Sequence, residues 1–396
     1  MRVGLFPVPR PERLEVTTPL LDPTGPVVVL GAHDAFDGPL TPSATAMYGP
    51  RGAQRFGTDG PLWVADTGHH RLLGYRRTPT EDRTPADWVL GHRNFEREGR
   101  NSGYDQASAQ TMNMPTGVQP YGEGGMIVAD SWNNRVLIWR ERPEDSHVPA
   151  DLVLGQGNFE DQSPNRGREG PGPDTMHWPF QVLVHQGRLY VADAGNRRVL
   201  GWHQLPVENG QPADFVLGQP SLHHRSDNAG GPADARTLRW PHDLTIFAGN
   251  LAVADAGNNR VLVYDGAPTD PETPARWVLG QDHFEAVDHN RGENLPTAAS
   301  LSMPYGLDAL GDRLVVADTS NSRLLGYRGP LSNGARAVAL TGQDDFRLKG
   351  DNRWQLPVRD SLCWPYGLKI SGDLAIVADT GNHRVVLWRV LEDLGG

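Results

Sequence analysis

Seven residues of this sequence have the side chains and the spacing to form a chemical site. Each stands one or two positions after a proline that recurs along the chain, so the same local structure would present all of them. A histidine, a carboxylate, an arginine and two tyrosines at one opening could perform general acid–base chemistry or hold an anionic ligand. The set is Arg51, Phe180, Gln181, His242, Asp243, Tyr305 and Tyr366.

The recurring prolines belong to a repeat that nearly fills the 396 residues. Residues 377–384 read Val-Ala-Asp-Thr-Gly-Asn-His-Arg, and six such segments place their aspartates 61–64 residues apart. A Leu-Gly-Gln motif or a variant of it recurs in the same phase, as does the proline. Three phased motifs in six copies indicate a repeat architecture. The aspartates are Asp66, Asp130, Asp193, Asp255, Asp318 and Asp379, and the prolines are Pro50, Pro115, Pro179, Pro241, Pro304 and Pro365.

Each copy of the repeat predicts four short strands. Runs of about four to six residues rich in Val, Leu, Ile and aromatic side chains are bounded by turn residues. Four strands joined by tight turns form an antiparallel meander, and a lone sheet of this kind cannot bury both of its faces. The sequence therefore predicts an all-β fold, a six-bladed β-propeller of four-stranded antiparallel blades.

The two ends of the chain predict how the ring closes. The last copy stops after its third strand, near Val390, whereas residues 26–31 carry a Leu-Gly motif that has no blade of its own. We expect this N-terminal strand to complete the last blade, which removes two open sheet edges. The predicted organisation is an N-terminal extension over residues 1–25, a single propeller over 26–390 and a C-terminal tail over 391–396.

Composition narrows the class of protein. One cysteine, Cys363, excludes intramolecular disulfides, and no apolar stretch is long enough to span a membrane. Prolines and a glutamate stand near the N-terminus where a signal peptide has its apolar core, so we expect a cytoplasmic protein. The net charge of −11 argues against nucleic acid as the main partner. We expect a monomer.

The segment at residues 377–384 resembles the NHL repeat, named for its Asn-His-Leu core, and the resemblance extends over residues 26–390. His69 stands where Asn is usual, and Val386 replaces the leucine. NHL propellers include RNA-binding domains, metal-dependent peptide-amidating lyases and bacterial scaffolds. In the lyases, histidines of different blades hold a metal on the axis. The resemblance therefore implies a divalent metal there, with His242 as the one histidine at a matched inner position.

Features that recur in every copy are interpreted as structural. We expect the Asp–Arg pair five residues apart to form an ion pair with hydrogen bonds that cap the turn. Loops of about 20 residues that precede each inner proline predict a raised collar around the opening. We expect their recurring asparagines to clamp the loops by binding nearby backbone groups. These are Asn101, Asn165, Asn228, Asn290 and Asn352.

Features that differ between copies are the candidates for function. Trp132 replaces the usual turn glycine in the second copy, which predicts either a partner contact or packing against a collar loop. The residue before the inner proline predicts packing between blades and under the collar, or alternatively an aromatic wall for a ligand. These residues are Gly49, Met114, Trp178, Trp240, Met303 and Trp364.

Two functions follow from the sequence. The first is a binding or scaffold module that recruits a protein or peptide through its top face and collar, and it is favoured because no nucleotide-binding or hydrolase motif is present. The alternative is an enzyme of the metal-dependent lyase or hydrolase type, with its active site at the axial opening. RNA binding is disfavoured by charge. A deep pocket with converging polar groups would favour the enzyme, and a shallow open face would favour the binder.

Overall fold

The computed structural model describes residues 17–33 and 41–391. Its strands form six sheets around a central axis, as the period of the repeat predicts. Each sheet is an antiparallel meander whose first strand, opened by the recurring proline in five of the six blades, lies nearest the axis. The helical segments of the described residues are short 3-10 turns, and no helix among them could span a membrane.

The six blades share one plan of inner, second, third and outer strand. Blade 1 comprises Gly52–Arg55, Leu62–Asp66, Arg71–Tyr75 and Trp88–Leu90, and blade 2 comprises Pro115–Tyr121, Gly125–Asp130, Arg135–Trp139 and Leu152–Leu154. Blade 3 comprises Pro179–His185, Arg188–Asp193, Arg198–Trp202 and Phe215–Leu217, and blade 4 comprises Pro241–Phe247, Asn250–Asp255, Arg260–Val263 and Trp277–Leu279. Blade 5 comprises Pro304–Leu310, Arg313–Asp318, Arg323–Arg328 and Ala339–Thr341, and blade 6 comprises Pro365–Ser371, Leu374–Asp379, Arg384–Arg389 and the N-terminal strand Val28–Gly31.

Two sets of 3-10 turns lie on one face of the ring, which we call the top face. One set follows the recurring aspartates, and the other lies in the collar loops between blades. The first set is Thr67–His69, Ser131–Asn133, Ala194–Asn196, Ala256–Asn258, Thr319–Asn321 and Thr380–Asn382. The second set is Arg100–Gly103, Pro164–Gly167, Asp227–Gly230, His289–Gly292 and Asp351–Trp354.

The N-terminal strand closes the ring, which confirms the prediction. Val28–Gly31 pairs antiparallel with the third strand of blade 6, from Val28 opposite Leu387 to Gly31 opposite Arg384. The chain before it adds a contact that the sequence did not predict, because Thr18–Pro19 pairs in parallel with the outer strand of blade 5. Thus residues 17–25, assigned to an extension, are joined to the propeller. Residues 1–16 and residues 392–396 of the predicted tail lie outside the described residues.

The hydrophobic core consists of six layers, each between two neighbouring blades. Between blades 1 and 2, for example, the buried side chains Trp63 and Leu72 pack with Val128 and Leu137. Both faces of every sheet are apolar, because each sheet lies between two others. This explains why the strands are runs of apolar residues instead of alternating apolar and polar ones.

A buried ion pair joins the three parts of each blade that reach the top face. In blade 3, Asp193 Oδ2 lies 2.8 Å from Arg198 Nε and also accepts a hydrogen bond from Asn196 Nδ2. Asp193 Oδ1 accepts the backbone N–H of His177 at 2.7 Å, just before the inner proline. The arginine in turn donates to carbonyl oxygens of the collar, including that of Thr175. The expected pair is present in all six blades.

The recurring asparagines clamp the collar, but not through nearby backbone groups as the sequence suggested. Each pairs with the turn asparagine of the following blade through reciprocal amide hydrogen bonds. Asn165 and Asn196, for instance, are joined at 3.0 and 2.9 Å. The clamp asparagines have positive φ, which turns the side chain toward its partner, and this conformation suits Asn better than most residues.

Blade 1 contains histidines at two positions, one where all five other blades have asparagine and one where four of them have glutamine. His69 replaces the turn asparagine and its Nδ1 lies 2.9 Å from Asp66 Oδ2. His92 replaces the glutamine of the Leu-Gly-Gln motif, and its Nε2 donates to the carbonyl oxygen of His69 at 2.7 Å. The equivalent Gln156 donates to turn carbonyls in the same way. Burial lowers the pKa of His92 to about 4, so this imidazole is neutral at pH 7.

We predict that deleting residues 1–31 destabilises the entire ring. The deletion exposes the edges of blades 5 and 6, and it should lower the melting temperature measured by circular dichroism by several degrees, since a loss of about 1 kcal/mol costs about 2–4 °C in a domain of 150–250 residues and less in a larger one. Deleting only residues 1–16 retains both N-terminal strands and is the matched control. Equal melting temperatures for the two truncated proteins would contradict the latch.

We predict that His92→Gln makes the protein more resistant to acid. An unfolded histidine titrates near pH 6.5 and the buried one near 4, so stability is lost as the pH falls through this window. The free energy of unfolding of the variant, relative to that of the wild type, should be about 2–3 kcal/mol higher at pH 4.5 than at pH 7.5. Urea titrations at both pH values measure this, and His223→Gln, at an exposed position, is the control. An unchanged pH profile would contradict it.

Candidate functional site at the axial opening

The residue before each inner proline stands at the rim of the opening in a left-handed conformation. The φ angles of all six lie between 49° and 65°. A neighbouring blade holds this conformation at several positions: the backbone N–H of Trp178 donates to Asn134 Oδ1 at 3.0 Å, and that of Met303 donates to Asn259 Oδ1 at 2.9 Å. The rim is therefore built by the repeat, whereas its side chains differ from blade to blade.

Three rim residues are tryptophans that remain partly exposed. Trp178, Trp240 and Trp364 have exposed fractions of 50%, 38% and 49%. Trp132 of the blade 2 turn is 52% exposed. Packing beneath the collar, the sequence-based interpretation of the rim, would have buried these side chains. The structure favours the other interpretation, an aromatic wall.

The aromatic residues that follow the inner prolines stack across the opening. The His242 ring lies between Phe180 and Tyr305, with ring centroids 4.3 and 4.1 Å apart, and Tyr305 is 4.4 Å from Tyr366. The Arg51 guanidinium lies 4.9 Å from the centroid of Tyr366. Five of the seven predicted residues thus meet, because the same position in each blade has the same distance from the axis.

A pocket of about 250 Å³ lies above this stack. Arg51, Phe180, His242 and Tyr305 belong to its lining, and Trp132 contributes from the blade 2 turn, a position that the sequence did not predict. Apolar surface predominates, with one cationic group. The other lining residues are Met114, Ser131, Trp178, Ala194 and Trp240.

Asp243 does not line the pocket. Its carboxylate is 2% exposed, and both oxygens lie 3.1 Å from Lys369 Nζ of blade 6. Asp243 also accepts the backbone N–H of Leu307 at 2.9 Å, and Lys369 donates to the carbonyl oxygen of the same residue at 3.2 Å. This ion pair therefore joins the inner strands of blades 4, 5 and 6. Sequence reasoning missed Lys369, although it is one of only two lysines in the chain.

Gln181 is also buried in the channel wall. At the same position, blades 1, 2, 5 and 6 have glycine, since a Cβ atom there would lie 2.0–2.6 Å from the neighbouring inner strand or its side chain. At Gly117 the atom that the Cβ would meet is Oε1 of Gln181 itself. Glycine at this position thus permits close strand packing, and the polar side chains of blades 3 and 4 fill space between strands.

The two polar side chains of the pocket, His242 and Arg51, differ in charge. The Nδ1 atom of His242 lies 2.9 Å from the carbonyl oxygen of Trp240, so it carries the proton and Nε2 is unprotonated. Burial lowers the pKa of His242 to about 4, which makes it a weak base and a neutral group at pH 7. Arg51, in contrast, is charged, and its guanidinium has no hydrogen bond or ion pair with the described residues. The pocket therefore has one free positive charge beside an apolar wall.

The residues at the opening do not fit a divalent metal. His242 is the only histidine of the stack, and Asp243 is already bound to Lys369. Across the described ranges, no three His, Cys, Asp or Glu side chains cluster as metal ligands would. A structural metal site has about four protein ligands and a catalytic one about three. We assign no role to a metal here.

Comparison with known proteins finds one recognised repeat in the sequence. The NHL repeat family model matches residues 238–264, which lie in blade 4. The chain is therefore a six-bladed propeller that contains an NHL repeat. No curated protein sequence matches it.

Solved structures similar to this propeller share little sequence with it. The WD40 propeller domain of Doa1 has 8% identity and a TM-score of 0.47, and the match covers 93% of this chain and 97% of that one. Virginiamycin B lyase from Staphylococcus aureus has 9% identity and a TM-score of 0.42, over 88% and 98%. BBS1N, solved in complex with ARL6DN, has 12% identity and a TM-score of 0.40, over 93% and 98%.

We predict that Lys369→Met destabilises the propeller by about 3–5 kcal/mol, because it leaves the Asp243 carboxylate buried without its counter-ion. The double variant Asp243→Gly, Lys369→Leu installs residues that other blades have at these positions, and it should recover part of the loss. Urea-induced unfolding measures both. A double variant less stable than Lys369→Met would show that the charge of Asp243 is not the cause.

Proposed function

We propose that this protein is a cytoplasmic module that binds a protein or peptide partner in the axial pocket of its top face. The observation that carries the proposal is the group of four half-exposed tryptophans around one opening, where the six copies of the repeat differ most. A soluble monomer seldom leaves such large apolar side chains exposed together unless they contact a partner. The cytoplasmic location and the monomeric state stay predictions from the sequence.

The chemistry of the lining suits polypeptide recognition. Tryptophan, tyrosine and arginine are the residues most enriched where single side chains dominate binding energy. Trp132 and Trp178 offer an apolar surface to an inserted side chain. Arg51 offers a charge-assisted hydrogen bond to a carboxylate beside it. We therefore expect the bound segment to combine an apolar or aromatic side chain with an acidic group.

The rigidity of the rim supports the same function. The collar loops are joined to the blades by the asparagine pairs and by the buried arginines, so few groups need to become ordered when a partner binds. Pre-organisation of this kind lowers the entropic cost of association. A flexible collar would have argued for a lid that closes over a substrate.

The enzyme alternative gains no support from the side chains of the opening. His242 is a weak base at pH 7, because its pKa is about 4. Asp243 is engaged by Lys369, and burial raises the pKa of Tyr305 well above its usual value. Thus none of these three groups is poised to exchange a proton near neutral pH.

A peptide selection tests the proposal. Peptides displayed on phage are selected on the wild-type protein, and their affinities are then measured by isothermal titration calorimetry. We predict that Trp178→Ala and Trp132→Ala each weaken binding about tenfold or more, the range typical of interface residues with dominant contributions. Trp354→Ala is the matched control, because Trp354 is 71% exposed on a collar loop and does not line the pocket.

The outcomes separate this function from the alternatives. Equal loss of affinity in Trp178→Ala and Trp354→Ala would indicate a different surface and contradict the proposal. So would a selection that yields no peptide with saturable binding. Arg51→Gln could retain binding while Trp178→Ala loses it. That result would support the pocket as the binding site but would show that the recognised motif needs no acidic group.

A further inference from the structure

The collar loops contain a second recurring feature that concerns an arginine. In the loops before blades 3, 5 and 6, the residue after the clamp asparagine is Arg166, Arg291 or Arg353. Arg166 Nε donates to the carbonyl oxygen of Gly155 at 3.4 Å, and Arg291 Nε donates to that of Gly280 at 3.3 Å. Arg166 and Arg291 therefore cross from their own loops to the residue that follows the outer strand of the preceding blade.

The guanidinium of each arginine also contacts a carboxylate, and those of Arg166 and Arg291 contact the next blade. Arg166 pairs with Asp174, Arg291 with Asp282 at 2.5 Å and Arg353 with Asp360 at 3.0 Å. On the far side, Arg291 Nη2 donates to the carbonyl oxygen of Gly334 at 3.3 Å. Arg166 lies against Gly210 in the same way, since a Cβ atom on that glycine would collide with its guanidinium. The arginine thus occupies a space between two blades and the collar.

The loop before blade 4 has Ala229 at this position. Its φ of 56° matches the 55° and 58° of Arg166 and Arg291, so the backbone is already set for the longer side chain. In place of the arginine lies a pocket of about 210 Å³, one of whose lining residues is Ala229.

The lining of this pocket consists of the positions that hold the arginine elsewhere. The correspondence follows from distance to the repeat's fixed points: the motif glycine, the inner proline and the alanine before the outer strand. Gly218 corresponds to Gly155 and Gly280, Arg236 to Asp174 and Asp360, and Glu272 to Gly210 and Gly334. The pocket therefore lies where the arginine side chain lies in the other loops.

The pocket retains an excess of negative charge. Arg236 Nη1 lies 3.2 Å from Glu272 Oε2, and its Nη2 lies 3.7 Å from Asp234. Two carboxylates thus face one guanidinium. A carboxylate that holds two guanidinium groups already exists in this protein, since Asp174 pairs with both Arg166 and Arg168. The side chains of Arg236, Asp234 and Glu272 are 49%, 40% and 70% exposed, so these ion pairs face solvent.

We propose that this pocket binds the guanidinium group of an arginine side chain that a partner polypeptide presents. The partner would supply from outside the group that three other loops supply from within. Planar guanidinium is favoured over ammonium, because the acceptors are a carbonyl at one side and a carboxylate at the other, which a fork of N–H donors can reach together. The site is separate from the axial pocket, and the inference does not rest on the function proposed there.

Methyl NMR of protein labelled with ¹³C at alanine methyl groups tests the inference. Ala229 reports on this pocket and Ala194 on the axial one. The probe is N-acetyl-arginine amide, and the control is N-acetyl-citrulline amide, which has nearly the same shape without the charge. We expect arginine amide to shift the Ala229 methyl resonance saturably, citrulline amide to bind at least tenfold more weakly, and Ala194 to be unaffected.

Two variants make the test specific. Glu272→Gln should weaken arginine amide binding about tenfold, since it replaces a charged acceptor of the guanidinium by a neutral one. Glu169→Gln, an exposed carboxylate of the preceding collar loop, should leave it unchanged. Ala229→Arg should abolish saturable shifts at the neighbouring Ala233 methyl, because the pocket is then filled from within.

Three results would overturn the proposal. One is the absence of a saturable shift at Ala229, which would mean that Arg236 alone satisfies the pocket. Another is equal binding of the arginine and citrulline amides. The third is an effect of Glu169→Gln as large as that of Glu272→Gln. Each of these is independent of whether peptides bind at the tryptophans.

Discussion

The buried ion pair between aspartate and arginine is the interaction on which the rest of the propeller depends. Asp193 and Arg198, like their counterparts, are inaccessible to solvent, and such a pair is stable only when further hydrogen bonds satisfy both partners. Here they do: the carboxylate binds the turn and the backbone before the inner proline, and the guanidinium binds the collar. One pair per blade therefore fixes the relative positions of turn, inner strand and loop, and with them the rim of the opening.

This rigid frame explains why variation concentrates at the rim. The residues around each inner proline have their backbone held by hydrogen bonds, so their side chains can change without loss of fold. Blades 3 to 6 use this freedom for Phe180, His242, Tyr305 and Tyr366, which stack in the centre. Blade 1 contributes Arg51, and the opening becomes an apolar pocket with one cation. The residue after each inner proline varies independently in the six blades, and this variation sets part of the chemistry of the opening.

The sequence predicted what depends on the period of the repeat. Blade number, strand order and the N-terminal latch follow from phase, and so does the convergence of Arg51 and His242, because equal positions lie equally far from the axis. It could not predict what depends on contacts between blades. The pair of Asp243 and Lys369 joins strands 126 residues apart, and Asp243 was expected at the opening because nothing local showed its partner. The exposure of Trp178 likewise depends on loops that could have covered it.

Departures from the repeat thus fall into two kinds, and the distinction bears on function. Some are compensated within the chain: Asp243 is matched by Lys369, and in blade 1 His69 and His92 replace two amides and keep their hydrogen bonds, to Asp66 and to a turn carbonyl. These compensated substitutions preserve the structure of the blade, and no ligand is needed to explain them. Others have no counterpart within the chain, as with Arg51, which has no hydrogen bond or ion pair with the described residues, and Ala229, which stands where three other loops have an arginine. Such side chains and spaces are open to solvent and to a partner, and both of the binding sites proposed above lie at these positions.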